Sequence, residues 1–144
     1  MLTESDVINA VCDYLRSLEC SVSCHRCETE QGDDIEAVSP AGQTILIEAK
    51  GETSSQKHTK RFGKVFTSNQ VLDHVAKAVY RACDCASRGN VLAGVAFPKN
   101  KHHESRVEKI QPALKKLQIE VFWVCVETKQ VSVMGNWDLI LHDR

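Results

Sequence analysis

The sequence lacks any apolar run near the roughly 20 residues that a membrane-spanning helix needs. Behind Met1 stands the polar segment TESD, with neither a basic n-region nor an apolar h-region. The expectation is a cytoplasmic protein with no membrane attachment. A dominant charge is missing too: 18 Lys and Arg stand against 19 Asp and Glu. The chain as a whole does not attract polyanions, so any nucleic-acid footprint must be local. Repeats, linkers and low-complexity segments are absent as well, which leaves residues 1–144 for one domain with a sizeable core.

Cysteine is present, seven times, an odd number. With no secretion signal, free thiols are expected rather than a disulfide framework. CHRC at 24–27 and CDC at 83–85 raise zinc, and a small zinc-binding regulator is one rival reading of the chain. CDC leaves a one-residue gap, however, where structural zinc knuckles have roughly two to four. Buried reduced thiols are the default.

The elements follow from periodicity. Thr3 and Asp6 approximate a capping box, and Ile8, Val11, Leu15 and Leu18 form a helical stripe. Glu4, four residues before Ile8, lies on that stripe and should point inward. CSVSCHRCETE reads as a strand; IEAV, SPAG and QTILIEAK read as a hairpin. A second helix is capped by Thr67 or Ser68, buries Leu72, Val75, Val79 and Ala82, and ends near Gly89. VLAGVAFP is a buried strand. Lys99, Lys101, His102 and His103 then read as a solvated loop before a third helix capped by Ser105 and Glu108, which Pro112 kinks or breaks. IEVFWVCVE and VSVMG close the chain as strands around a turn at Thr128 and Lys129. The expected class is α/β, a central mixed β-sheet flanked by helices in the order α-β-β-β-α-β-α-β-β.

One strand carries an anomaly. In TILIEAKGE, residues 44–52, Glu48 and Lys50 share a face and Ala49 points opposite. Burying the two charges unpaired costs on the order of several kcal/mol, so they need a partner or a cavity. The hairpin supplies one, because GDDI at 32–35 brings Asp34 to the end where Glu48 and Lys50 emerge. Two carboxylates and an ammonium suit a hard divalent cation such as Mg2+. A metal so held stabilises charge on a phosphate, and the lysine can orient a water or help it lose a proton. A plain ion pair on a solvated edge strand is the alternative, and it leaves Asp34 and Gly51 unexplained.

GDDI, a hairpin and IEAK together resemble the PD-(D/E)xK nuclease superfamily, whose signature is an Asp, a spacer, then Glu or Asp, any residue, and Lys on the next strand. The resemblance covers roughly residues 4–98 and implies a restriction-endonuclease-like core. It implies Asp34 and Glu48 as metal ligands, the Ala49 carbonyl as a further ligand, and Lys50 as the catalytic lysine. No proline precedes the acid, and Asp33 competes with Asp34; spacing after Gly32 and the following Ile35 select Asp34. Glu4 matches an acid of the first helix that often completes the metal site. Gln70 matches a glutamine that often supports it, while His74 stands where the exonuclease branch has a tyrosine. The activity implied is Mg2+-dependent hydrolysis of DNA phosphodiesters, with Mn2+ substituting, an endonuclease more than an exonuclease. A chain this small suits a homodimer for cutting both strands. The rival is a nucleic-acid-binding subunit of a restriction or repair assembly that keeps the fold without cleaving.

DNA contacts are expected from two places. KHTKRFGK at 57–64 holds Lys57, Lys60, Arg61 and Lys64 with no acid and directly follows the catalytic strand, as a phosphate clamp would. Gln70, His74, Lys77 and Arg81 make one polar line along the second helix. Glu28, Glu30, Asp33, Asp34 and Glu36 crowd one segment, which repels DNA unless a metal is bound. Trp123 and Trp137 belong to core or interface.

Overall fold

A computed structural model describes residues 1–25, 32–54, 56–60, 62–135 and 137, with the backbone alone at 23–25. The chain runs α1 (Glu4–Ser17), β1 (Ser21–His25), β2 (Ile35–Val38), β3 (Thr44–Ala49), α2 (Ser68–Ala86), β4 (Val91–Pro98), α3 (Lys101–Glu108), α4 (Gln111–Lys116), β5 (Glu120–Val124) and β6 (Val131–Val133). The six strands lie side by side in sequence order. β1, β2 and β3 are antiparallel, β3, β4 and β5 are parallel, and β6 returns antiparallel on β5. The result is a mixed α/β sheet with helices on both faces, the class expected.

The two faces follow from strand alternation. Ile45, Ile47 and Ala49 of β3 join Ile35 and Ala37 of β2 in a core with Val7, Ile8, Val11 and Leu15 of α1. Leu46 points the other way, into a second core with Val71, Val75, Ala78 and Ala82 of α2 and with Val107 and Leu114 from α3 and α4. Each fully buried aliphatic side chain contributes about 1.5–3 kcal/mol, so α1 and α2 are each anchored by several such residues and α3 and α4 by Val107 and Leu114. α1 starts on a reciprocal capping box: Thr3 Oγ1 accepts from the Asp6 amide at 3.2 Å and Asp6 Oδ2 accepts from the Thr3 amide at 2.9 Å.

Two expectations are corrected. The stripe of α2 is Val71, Val75, Ala78, Ala82 and Cys85, and Leu72 is 47% exposed. Lys101, His102 and His103 are helical, not loop. Asn100 caps α3 through its Oδ1, which accepts from the His103 amide at 2.9 Å, so the helix begins before the Ser105 and Glu108 box. The helix break expected at Pro112 falls just ahead of it: α3 ends at Glu108 and Pro112 lies in the first turn of α4, where its missing N–H costs nothing. The order is therefore α-β-β-β-α-β-α-α-β-β. No helix among the described residues is long and apolar enough to cross a membrane. The five cysteines whose side chains are described are free; Cys24 and Cys27 of the CHRC motif lie outside them.

Candidate active site

The site forms where β3 leaves the sheet. Ile35 pairs with Ile47, and that register carried one step further sets Asp34 beside Glu48. Asp34 Oδ2 accepts from the Ala49 amide at 2.8 Å, which ties the start of β2 to the end of β3. Lys50 Nζ donates to Glu48 Oε1 at 3.0 Å, with the two side chains 18% and 15% exposed. The shared face of Glu48 and Lys50 is that of α2, opposite Ala49, as alternation requires.

Glu4 arrives because Gly51 admits it. A Cβ at Gly51 would press on the Glu4 amide and come within 2.6 Å of the Thr3 carbonyl carbon. The Glu52 amide donates to the Leu2 carbonyl at 2.9 Å. The N-terminus of α1 is thus seated directly on the end of β3.

Electrostatics bind these residues into one unit. Burial pushes the Asp34 carboxyl up to about 7, the charges of Glu48 and Glu4 add to this, and the Ala49 N–H opposes it. Burial by itself would lower the Lys50 ammonium, but the charges of Glu48, Glu4 and Asp34 outweigh it and hold it above its ordinary value. Lys50 therefore stays charged: it donates and stabilises negative charge more readily than it accepts a proton. Among the described residues, no group of three or more His, Cys, Asp or Glu stands together as a metal centre. The donors are nevertheless of the right kind. They are hard oxygens crowded by like charge, and Mg2+ is commonly held by one or two carboxylates with several waters.

A cleft of ≈ 340 Å³ opens beside this cluster, lined by Glu4, Lys50 and Gly51, by Phe66, His74 and Lys77, and by Thr53, Ser54 and Gln56 of the following loop. Lys50 belongs to both cleft and cluster. His74 packs edge-to-face on Phe66 with ring centroids 4.7 Å apart, and its Nδ1 is buried without a hydrogen-bond partner among the described residues. Burial, with the nearby Lys50 charge, holds its imidazole below the ordinary value. The loop is pinned at its root. Phe66 N donates to Glu52 O at 2.8 Å, Thr53 Oγ1 donates to Lys64 O at 2.8 Å, and Ser54 bridges Phe62. Lys57, Lys60 and Lys64 are exposed on it, and Arg61 lies outside the described residues.

Asp34, Glu48, Lys50 and Glu4 are thus brought together, and His74 and Lys77 join them at the cleft. Gln70 is placed differently. Its Oε1 accepts from the Thr67 amide at 2.9 Å and from Thr67 Oγ1 at 3.2 Å, so it caps α2. Lys77 also pairs with Asp73 at 2.9 Å. Asp33, the other candidate acid, is held by Arg81 at 2.9 Å and Arg88 at 3.5 Å and accepts from Cys85 Sγ at 3.3 Å. It anchors α2, which leaves Asp34 for the site. Arg81, last of the polar line, is spent on that anchor.

One feature had no sequence signal. Glu52 is buried and its Oε2 accepts from Asn100 Nδ2 at 3.1 Å, while Asn100 Oδ1 lies 2.9 Å from His103 Nδ1. His103 is fully buried, and burial, with a smaller contribution from His74, pushes its imidazole down to about 4. This chain of neutral and acidic groups fastens the loop root to the head of α3. The partners stand 48 residues apart, and nothing in the local pattern announces them.

No family model, curated protein or solved structure matches the chain.

Proposed function

We propose that the chain is a divalent-metal-dependent nuclease of restriction-endonuclease-like fold that hydrolyses phosphodiester bonds of DNA. The observation that carries this is the convergence of Asp34, Glu48, Glu4 and Lys50 at the end of β3, where Asp34 is raised to about 7 by burial and by its acidic neighbours. A cluster of acids with too little countercharge is unfavourable in the isolated protein, and a site that binds a cation is where such a cost is tolerated. The end of a parallel strand is also where open α/β sheets place ligands.

In this reading Asp34 and Glu48 would hold Mg2+ or Mn2+, with the Ala49 carbonyl and Glu4 completing the donors. The ion would supply Lewis acidity toward the scissile phosphate and a bound water of lowered pKa. The protein's own groups do the rest. The Ala49 amide fixes Asp34, so one oxygen is oriented and the other remains available. Lys50, kept cationic, releases Glu48 when the carboxylate takes another partner and then faces the incoming water or the phosphate oxygen. The exposed lysines of the pinned loop, Lys57, Lys60 and Lys64, contribute phosphate contacts that fix register without reading sequence.

The test is cleavage of duplex, single-stranded and branched DNA with Mg2+ or Mn2+, beside Asp34→Ala and Lys50→Ala. Activity should fall by about a hundred- to a thousandfold in each variant, the range that loss of one electrostatic stabiliser of the transition state gives. Equal activity in all three proteins would remove the assignment.

A further inference from the structure

We propose that the cleft beside Lys50 takes one unpaired nucleotide of the substrate strand, so that the site acts on single-stranded, flapped or flipped-out DNA in preference to a closed duplex. The inference rests on the nuclease reading for its chemistry and on the cleft alone for its binding.

Size is the first argument. At ≈ 340 Å³ the cleft is at the small end of pockets that enclose a ligand, roughly 300–1,000 Å³. A duplex keeps its bases stacked inside and presents a convex backbone, so only a nucleotide taken out of the stack can enter a concave site.

Lining is the second. Phe66 supplies an aromatic wall braced edge-to-face by His74. Such a wall accepts any base by its π-face. Ser54 and Gln56 offer a hydroxyl and an amide, and the Nδ1 of His74 has no partner among the described residues. Lys50 and Lys77 bring positive charge for the attached phosphate, and Lys50 simultaneously touches Glu48. A nucleotide seated here has its phosphate beside the carboxylate cluster.

The loop outside the cleft adds a second aromatic surface. Phe62 is 47% exposed on the segment that carries Lys60 and Lys64. An exposed aromatic among cations is the composition of a stacking platform for an unpaired strand, and the loop's pinned root holds it near the cleft.

The experiment measures binding and cleavage separately on one set of labelled oligonucleotides: single-stranded, fully paired blunt-ended duplex (the closed duplex), and the same duplex with one unpaired nucleotide. Fluorescence anisotropy in EDTA and in calcium should show the two unpaired substrates bound about tenfold or more tighter than the closed duplex. Phe66→Leu, which keeps apolar packing but removes the ring, should lose about tenfold on unpaired substrates and leave the closed duplex unchanged, as should Phe62→Ala, which disturbs no core. Equal affinity for all three substrates, or no effect of either variant, would overturn the pocket. Unpaired DNA bound but never cut in manganese sustains the pocket and sinks the nuclease. Closed duplex cut as fast as single strand does the reverse.

Discussion

Glu120, at the start of β5, and Asp34, just ahead of β2, are both carboxylates drawn out of solvent, and the protein treats them in opposite ways. Glu120 is 2% exposed and accepts three backbone amides: Val121 at 2.9 Å, Gly135 at 2.6 Å and Trp137 at 3.3 Å. The residue at 135 must be glycine for this, because a Cβ there would come within 2.7 Å of Glu120 Oε2. Among the described residues Asp34 accepts from one amide, that of Ala49, and two acidic neighbours raise it. A carboxylate saturated by fixed donors is part of the frame. One left short of donors and crowded by like charge retains capacity for a ligand. Glu120 is buried and Asp34 half-buried, and among the described residues the larger difference is in fixed amide donors, three against one.

The comparison predicts its largest effect at Glu120. Glu120→Ala leaves three amides of the β5–β6 region without their acceptor, at about 1–3 kcal/mol for each one that stays buried, so a loss of at least about 3 kcal/mol is expected in urea unfolding. Glu120→Gln keeps an acceptor for Val121 and Gly135 and should lose less. Neither change should alter the metal dependence that the proposed function implies. A variant with full stability would show that the three bonds contribute nothing net.

Asp34→Asn should behave in the reverse sense, stabilising the metal-free protein and, on the proposed function, abolishing cleavage. The sign follows from linkage. The folded carboxyl is raised from 3.8 to about 7, so the native state holds a proton that the unfolded chain has lost between those values. Stability therefore falls as pH rises through that window and is level above it. Allowing for partial solvent screening, the variant should gain about 2 kcal/mol over wild type between roughly pH 4 and pH 8 in chelator. His103 has the opposite slope, because a buried imidazole lowered to about 4 loses stability as pH falls from its ordinary value of 6.5. Both proteins carry it, so their difference isolates Asp34. Added Mg2+ or Mn2+ should shrink the gap by stabilising wild type alone. A gap that is flat with pH would mean that Asp34 is not crowded as described.

Gly51→Ala probes what brings Glu4 to the same cluster. The added methyl meets the backbone of Thr3 and Glu4, which cannot yield like the end of a side chain. A cost of about 1–3 kcal/mol is expected from overpacking, with the N-terminus of α1 displaced. On the proposed function, metal-dependent cleavage by the surviving folded fraction should weaken, because Glu4 and Lys50 are moved together. Unchanged stability would place the α1 seat elsewhere.

How far these features can be read from sequence depends on how local their causes are. The α1 cap, the β2–β3 hairpin and the β4 strand are set by neighbours a few residues away, and all were legible. For α2 the phase was ambiguous: Leu72, Val75, Val79 and Ala82 make a helical stripe, and so do Val71, Val75, Ala78, Ala82 and Cys85. The two share Val75 and Ala82, and only the sheet beneath chooses between them. At α3 the charges of Lys99 and Lys101 suggested a loop, whereas Asn100 three residues before His103 was a cap signal of ordinary form. In the candidate site, the shared face of Glu48 and Lys50 follows from strand alternation and the nearness of Asp34 from the hairpin. Assigning Asp33 to the α2 anchor required Arg81 and Arg88, some fifty residues away, to be placed in space.

The smallest effect concerns Gln70, where two accounts of one side chain differ. The family resemblance assigns it to the support of a metal site, while its Oε1 accepts from the Thr67 amide and completes the α2 capping box. A cap residue replaced by alanine costs about 0.5–2 kcal/mol, and the reciprocal partner in a box falls at the low end. Gln70→Ala should therefore lose about 0.5–1 kcal/mol in urea unfolding and leave kcat for cleavage within about twofold. Gln70→Glu, which restores the acceptor and places an acid at a helix N-terminus, should recover that stability. If instead Gln70→Ala lowers kcat by about a hundredfold at unchanged stability, the side chain leaves its cap during turnover. It would then belong with Asp34 among the groups that the fold leaves available, and not with Glu120 among those it has used.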